Sequence, residues 1–139
     1  VAATDHPSML CAYGLLDSER IDRETMARTL DRVLREWDYP SMWGWDFGVI
    51  AMTATRLGLP QTAVDALLIK TEKNDYTENG HNRQLSRDDL PLYLPGNGSL
   101  LLAAAMMAAG YPGCGAEHPG FPEGWTVEAE GLRPYIALE

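Results

Sequence analysis

Aromatic, amide and carboxylate side chains are concentrated in two short parts of the chain. The first part is the stretch "SMWGWDFG", which contains Trp43, Trp45 and Asp46. An indole ring has a flat apolar face and one polar N–H, so it suits stacking against a ligand ring. Asp46 is a candidate for catalysis or hydroxyl binding, and alternatively a structural acid in the first turn of a helix. We therefore predict a stacking surface here and leave both roles of Asp46 open.

The second part is the segment 72–97, which joins two predicted helices. Helix connections usually take about two to eight residues, and longer ones are often functional. Amide and imidazole groups both donate and accept hydrogen bonds, as a ligand with hydroxyl groups requires, and a carboxylate can transfer a proton. Asn-Gly also favours a turn, and the asparagine after Gly96 is predicted to cap the last helix. The candidates are a catalytic Glu78 and the substrate-binding residues Asn79, His81, Asn82, Tyr93 and Asn97.

Four helices are predicted to position these residues. In "IDRETMARTLDRVLREWD" the apolar residues recur at a 3.6-residue period behind Asp22, a predicted N-cap. The segment 46–57 is apolar nearly all round, 61–71 carries one apolar stripe, and 98–109 is again apolar all round. The chain therefore alternates half-exposed and buried helices.

This alternation predicts an all-α fold with an outer and an inner layer of helices, as in a toroid built from helical hairpins. The link between 46–57 and 61–71 is the tight "GLP", whereas 37–45 and 72–97 each lead from an outer to an inner helix. Successive antiparallel helices place those two links at the same end. We therefore expect the two chemistry-bearing parts to meet at the N-termini of the inner helices.

Three motifs occur in one order: "SMWGWDFGVIAMTATRLG", "NGHN" and "LPLYLPGNGSLLLAAAMMAAG". Together they resemble the C-terminal part of bacterial six-hairpin glycosidases, the (α/α)6-toroid glycoside hydrolases related to the disaccharide phosphorylase and α-fucosidase types. The resemblance extends over residues 5–133. It implies a partial toroid over 1–110, followed over 111–139 by a Pro/Gly-rich connector and a short β segment, which the alternation in "WTVEAEGL" also predicts.

The resemblance also implies inverting glycoside hydrolysis by two carboxyl groups, which such enzymes hold about 6.5 to 9.5 Å apart. In the related families the general acid comes from an earlier hairpin, so this chain is expected to be one wall of the pocket and inactive alone. Pro95 stands where the α-fucosidase-type relatives carry an acidic residue. A whole toroid needs on the order of 300 residues, so we expect these 139 residues to be a fragment or a processed chain.

Charge and composition exclude several classes of partner. The chain has 11 basic and 20 acidic residues, a net charge of -9 that repels nucleic acid and anionic lipid surfaces. The longest apolar run is too short to span a bilayer, which predicts a soluble periplasmic or cytoplasmic protein. Cys11, Cys114 and the three histidines show no metal-ligand spacing, so neither a metal nor another cofactor is predicted.

The resemblance implies that the partner is an oligosaccharide or glycoside. The alternative is a helical domain that docks on another protein, and it would leave the segment 72–97 mobile. Residues 100–109 contain no strongly polar position, so some apolar surface should lie open on so few helices. We therefore expect self-association, or binding to the preceding hairpins of a parent chain.

Overall fold

The computed structural model describes residues 3–16 and 20–134. This part of the chain is mostly helical, with five α-helices and one two-stranded hairpin, which confirms the predicted all-α class at that level. The elements are α1 Cys11–Gly14, α2 Arg23–Glu36, α3 Gly44–Arg56, α4 Pro60–Leu67, β1 Asp75–Tyr76, β2 Asn82–Arg83 and α5 Leu94–Ala109, with 3-10 turns at Ser8–Leu10 and Tyr39–Ser41. Within the described ranges no helix is long and apolar enough to cross a membrane.

Helix α2 forms as its sequence predicts. The Asp22 carboxylate accepts the backbone N–H of Thr25 at 2.8 Å and so caps the first turn. One face of the helix is buried through Met26, Leu30 and Val33. The other face carries exposed ion pairs, which contribute little to stability. Helix α2 is therefore a half-exposed helix at the edge of the core.

Helix α3 is the buried helix of the fold, as predicted. It packs against α1, α4 and α5, and nearly all of its side chains are buried. The approach to α5 is close because Gly48 faces Ser99, and a Cβ at Gly48 would collide with that serine. The Ser99 hydroxyl also donates to the carbonyl of Trp45 at 2.7 Å. These contacts of Ser99 hold the start of α3 against α5.

Helix α5 differs from its prediction in two ways. It begins at Leu94, because Pro95 fits the first turn, where its missing N–H costs nothing. Asn97 consequently lies inside the helix, and its predicted role as the N-cap is wrong. The helix is also not buried all round, since Leu101 is 69% exposed. Helices α3 and α4 cover only part of it, so the predicted open apolar surface is present.

Strand pairing occurs in the loop and not in the C-terminal segment. Strands β1 and β2 pair antiparallel, with Tyr76 opposite Asn82. Residues 111–134, the described part of the C-terminal segment, form no strand, so the predicted β segment there is wrong. Alternation alone does not make a strand without a neighbour to receive its hydrogen bonds. Residues 135–139 of that segment lie outside the described residues.

The two links 37–45 and 72–97 meet at one end of the fold, which confirms the prediction from helix order. The Lys73 ammonium lies 3.5 Å from the carbonyl oxygen of Ser41. The rings of Trp43 and Tyr93 have centroids 5.4 Å apart. Gly44 faces the side chain of Asn82 so closely that a Cβ there would collide with it. The chemistry-bearing parts of the sequence therefore form one surface at the start of α3.

Candidate functional site

Asp46 lies at the centre of this end, in the first turn of α3, and is 1% exposed. Its Oδ2 accepts the backbone N–H of Trp43 at 2.7 Å, so the capping role that the sequence left open is present. The Nδ1 atom of His6 lies 2.9 Å from the same oxygen. Burial raises the pKa of Asp46 above its ordinary value, although the hydrogen bonds from Trp43 and His6 oppose that rise.

His6 is the residue of this site that the sequence did not reveal. The segment before α1 is held against the 37–45 link by two bonds of Asp5: its N–H donates to the Ser41 hydroxyl at 2.7 Å, and its carbonyl accepts the Trp37 indole N–H at 2.7 Å. Asp5 has φ of 62°, which is uncommon for a residue other than glycine. This path turns His6 toward Asp46, forty positions further along the chain. No spacing in the sequence signals such a contact.

Four rings form what we call the aromatic surface: those of His6, Trp43, Trp45 and Tyr93. The centroid of the His6 ring lies 4.6 Å from that of Trp45 and 6.3 Å from that of Trp43. Trp43 in turn contacts Tyr93. All four side chains are half-buried, so each has one part packed and one part accessible. Burial, and then the charge of Asp46, raise the pKa of Tyr93, which keeps its phenol as a hydrogen-bond donor.

Two cations flank Trp43. The Lys73 ammonium lies 4.6 Å from the centroid of its ring, and the Arg87 guanidinium carbon lies 5.8 Å away. Both distances are within the range of cation–π attraction. Arg87 is also paired with Asp89 through two contacts of 2.8 Å. The loop 72–97 therefore supplies Tyr93 and two cations to the aromatic surface.

Asn82 was predicted to bind substrate, and the structure gives it an internal role instead. Its side chain is fully buried. The Nδ2 atom donates to the carbonyls of Lys73 at 3.3 Å and Asp75 at 3.0 Å, and Oδ1 accepts from Gln84 at 3.1 Å. Its backbone N–H donates to the Asn97 side chain at 2.9 Å. Because these groups are occupied and inaccessible, Asn82 holds the loop in shape and presents nothing to a ligand.

The remaining loop candidates lie at the turn of the hairpin. Asn97 ties that turn to α5, since its Nδ2 donates to the carbonyl of Gly80 at 2.7 Å. Glu78, Asn79 and His81 are exposed. Their side chains make no hydrogen bond, ion pair or ring contact with other described residues, so nothing links them to the aromatic surface. Their catalytic and binding roles stay predictions.

Open cavities lie away from the aromatic surface. One of about 330 Å3 runs along α2, and one of about 660 Å3 lies beside the second 3-10 turn. Neither combines aromatic faces with a buried carboxylate. In the described ranges, no group of three or more His, Cys, Asp or Glu could hold a metal ion. The second cavity is lined by Tyr39, Pro40, Lys70, Thr71, Glu72 and Leu85.

Comparisons of the chain with protein-family models, with curated proteins and with solved structures give no match.

Proposed function

We propose that this chain forms one wall of a saccharide-binding pocket in a six-hairpin glycoside hydrolase-like protein. The observation that carries the proposal is the aromatic surface, which gathers His6, Trp43, Trp45 and Tyr93 around the buried carboxylate of Asp46. A surface of this composition offers apolar faces for a sugar ring and polar edges for its hydroxyls. The proposal is also supported by the resemblance to those proteins of three motifs taken together, "SMWGWDFGVIAMTATRLG", "NGHN" and "LPLYLPGNGSLLLAAAMMAAG".

The proposed arrangement is a partial (α/α)6 toroid in which α3 and α5 belong to the inner ring and α2 and α4 to the outer ring. Its support is the burial of α3 between α1, α4 and α5, together with the wet outer face of α2. The pocket would then open at the N-termini of α3 and α5. Binding residues mounted on the start of a packed helix are held more precisely than residues on a free loop.

In this proposal the wall binds substrate, and hydrolysis needs carboxyl groups on both sides of the scissile bond. Asp46 is too deeply buried to contact a sugar directly, since it is 1% exposed. Glu78 is exposed on the hairpin turn and is the accessible carboxylate among the predicted catalytic pair. The second group would come from other hairpins of the toroid, so this chain alone is expected to bind without hydrolysing.

Calorimetric titration with a panel of neutral di- and trisaccharides tests the proposal. The wild-type chain should bind at least one of them, and Trp43→Ala should weaken that binding about tenfold, because a tryptophan at the centre of a contact contributes more than about 1 kcal/mol. The matched control is Trp125→Ala, which removes a 53% exposed tryptophan that contacts Phe121. No binding by the wild type, or equal losses in both variants, would contradict the proposal.

A second candidate is a helical protein-interaction domain, and one observation favours it. Leu94 and Leu101 are 65% and 69% exposed, and their separation of seven residues puts them on one face of α5. Apolar patches on a helix mark interaction surfaces when they are contiguous. Light scattering coupled to size exclusion tests this candidate with a second copy as the partner. A dimer that Leu101→Ser converts to a monomer would support it, and a wild-type monomer would contradict it.

A further inference from the structure

We infer that His6 is the ligand-facing hydrogen-bond acceptor of the aromatic surface and that Asp46 is the residue that positions it. This inference rests on the proposed function and names the group that meets a sugar hydroxyl. Neither the motifs nor the spacing of the sequence assign any role to His6. The juxtaposition that carries it is a fully buried carboxylate behind a half-exposed imidazole, with their atoms 2.9 Å apart.

The buried carboxylate fixes which nitrogen of the ring carries the proton. An ionised carboxylate only accepts hydrogen bonds, so the His6 Nδ1 beside it has to be the donor. In the neutral imidazole the other nitrogen, Nε2, is then an acceptor with a free lone pair. A carboxylate that holds a histidine in one tautomer and orientation is a known way to prepare the opposite nitrogen for a partner.

The Nε2 atom is the side of the ring available to a ligand. It makes no hydrogen bond with the residues that the structure describes, and the Asp5 carboxylate lies 3.5 Å from it. The side chain of Asp5 is 68% exposed, so it can turn into solvent when a ligand arrives. His6 itself is 32% exposed, in contrast to the 1% of Asp46. In this pair of His6 and Asp46, the imidazole Nε2 therefore lies on the accessible side and the carboxylate of Asp46 is buried beneath the ring.

The neighbouring rings define what kind of ligand could use this atom. The His6 ring lies 4.6 Å from Trp45 and 6.3 Å from Trp43, centroid to centroid. A molecule that contacts the accessible part of either indole lies next to the imidazole. A neutral saccharide has hydroxyl donors on its rim, and each can donate to Nε2. The ligand class is thus a neutral saccharide with a free hydroxyl at the edge of the ring that contacts the indole.

A tautomer measurement on the full chain tests the positioning role without any ligand. Long-range 1H–15N correlation spectra are recorded at pH 8. His6 should carry its proton on Nδ1 in the wild type. In Asp46→Ala no oxygen remains to accept from Nδ1, so the ring should no longer be held in that form and the Nε2–H tautomer should appear. The internal control is His118, whose Nδ1 lies 2.7 Å from the carbonyl of Ala108 and should not change.

An Nε2–H tautomer of His6 in the wild type would overturn the inference, as would an unchanged tautomer in a folded Asp46→Ala. The wild-type spectrum decides the first point even if the variant does not fold. These outcomes do not depend on saccharide binding. A wrong positioning role for Asp46 can therefore be distinguished from a wrong proposed function.

Calorimetry with the tightest-binding saccharide of the neutral panel tests the ligand-facing role. His6→Ala should weaken binding roughly five- to tenfold, the loss expected for one hydrogen bond to a neutral group. His118→Ala is the matched control and should bind as the wild type does. Equal affinity of His6→Ala and wild type would overturn this inference alone. A wild type that binds none of the panel would overturn it together with the proposed function.

Discussion

The two links that meet at the start of α3 treat their polar groups in opposite ways. The 37–45 link and the first turn of α3 leave Trp43 and Trp45 partly accessible and bury the carboxylate of Asp46. The 72–97 loop turns the amides of Asn82 and Gln84 inward, where both are almost fully buried. Similar compositions therefore serve different purposes: one link presents a surface, and the other is folded around its own hydrogen bonds.

The largest effect should come from the inward-facing loop. Asn82→Ala removes one buried side chain that bonds to Lys73, Asp75 and Gln84, and we expect it to lower the free energy of unfolding by about 2 to 4 kcal/mol. Urea unfolding followed by circular dichroism measures the loss. The matched control is Asn79→Ala, an exposed asparagine of the same loop, which should change stability by less than about 0.5 kcal/mol. Similar losses in both variants would remove the distinction between inward and outward amides.

A substitution in the 37–45 link should affect ligand binding more than stability. Trp45→Ala is expected to weaken saccharide binding about tenfold while lowering stability less than Asn82→Ala does, because the indole of Trp45 is only half-buried. Calorimetric titration and urea unfolding of the same preparation give both numbers. A variant that loses most of its stability and none of its affinity would assign Trp45 to the core.

A pH series on Asp46 sharpens the description of the presenting link. Burial raises the folded-state pKa of Asp46 above 3.8, so the folded chain holds this proton more tightly than the unfolded chain does. The raised pKa of Asp46 therefore adds to the free energy of unfolding below pH 3.8. This added stability is lost as the pH rises through the folded-state pKa. Relative to Asp46→Asn, the wild type should therefore lose stability as the pH rises above 3.8.

Thermal unfolding of both proteins at pH values below and above 3.8 provides the measurement. Asp88→Asn, which changes an exposed aspartate of the loop, is the control and should follow the wild-type curve. If the wild type instead gains stability over Asp46→Asn, the hydrogen bonds from Trp43 and His6 outweigh burial.

The smallest effect is expected on α5. Leu101→Ala should cost less than about 0.5 kcal/mol, because this leucine is 69% exposed. Leu30→Ala is the buried counterpart on α2, at 1% exposed, and should cost about 2 to 5 kcal/mol. Urea unfolding compares the two. Equal losses would mean that the open face of α5 is covered in solution, as the second candidate function requires.

Helix positions were predictable because they depend on local patterns. Asp22 caps α2, and the apolar residues that follow it at helical spacing are the ones that are buried. The burial of α3 was predictable because its sequence has no polar face. The start of α5 was not predicted, because Pro95 is equally acceptable before a helix and within its first turn.

The candidate site was predictable in its location but not in the direction of its side chains. Trp43, Trp45, Asp46 and Tyr93 do come together, as the order of the helices predicted. Whether an amide such as that of Asn82 faces a ligand or the loop interior depends on contacts with Lys73 and Asp75, which sequence patterns do not encode. His6 reaches the site only through the tertiary bonds of its neighbour Asp5.

The central claim is that the aromatic surface binds saccharides, and the four tryptophan indole N–H signals report on it directly. A 15N-labelled chain is titrated with the neutral saccharide panel, and the indole resonances of Trp37, Trp43, Trp45 and Trp125 are followed by 1H–15N spectra. We predict saturable shifts of the Trp43 and Trp45 signals, while the signals of Trp37 and Trp125 stay in place. Shifts confined to Trp37 or Trp125, or no shift at any tryptophan, would contradict the account.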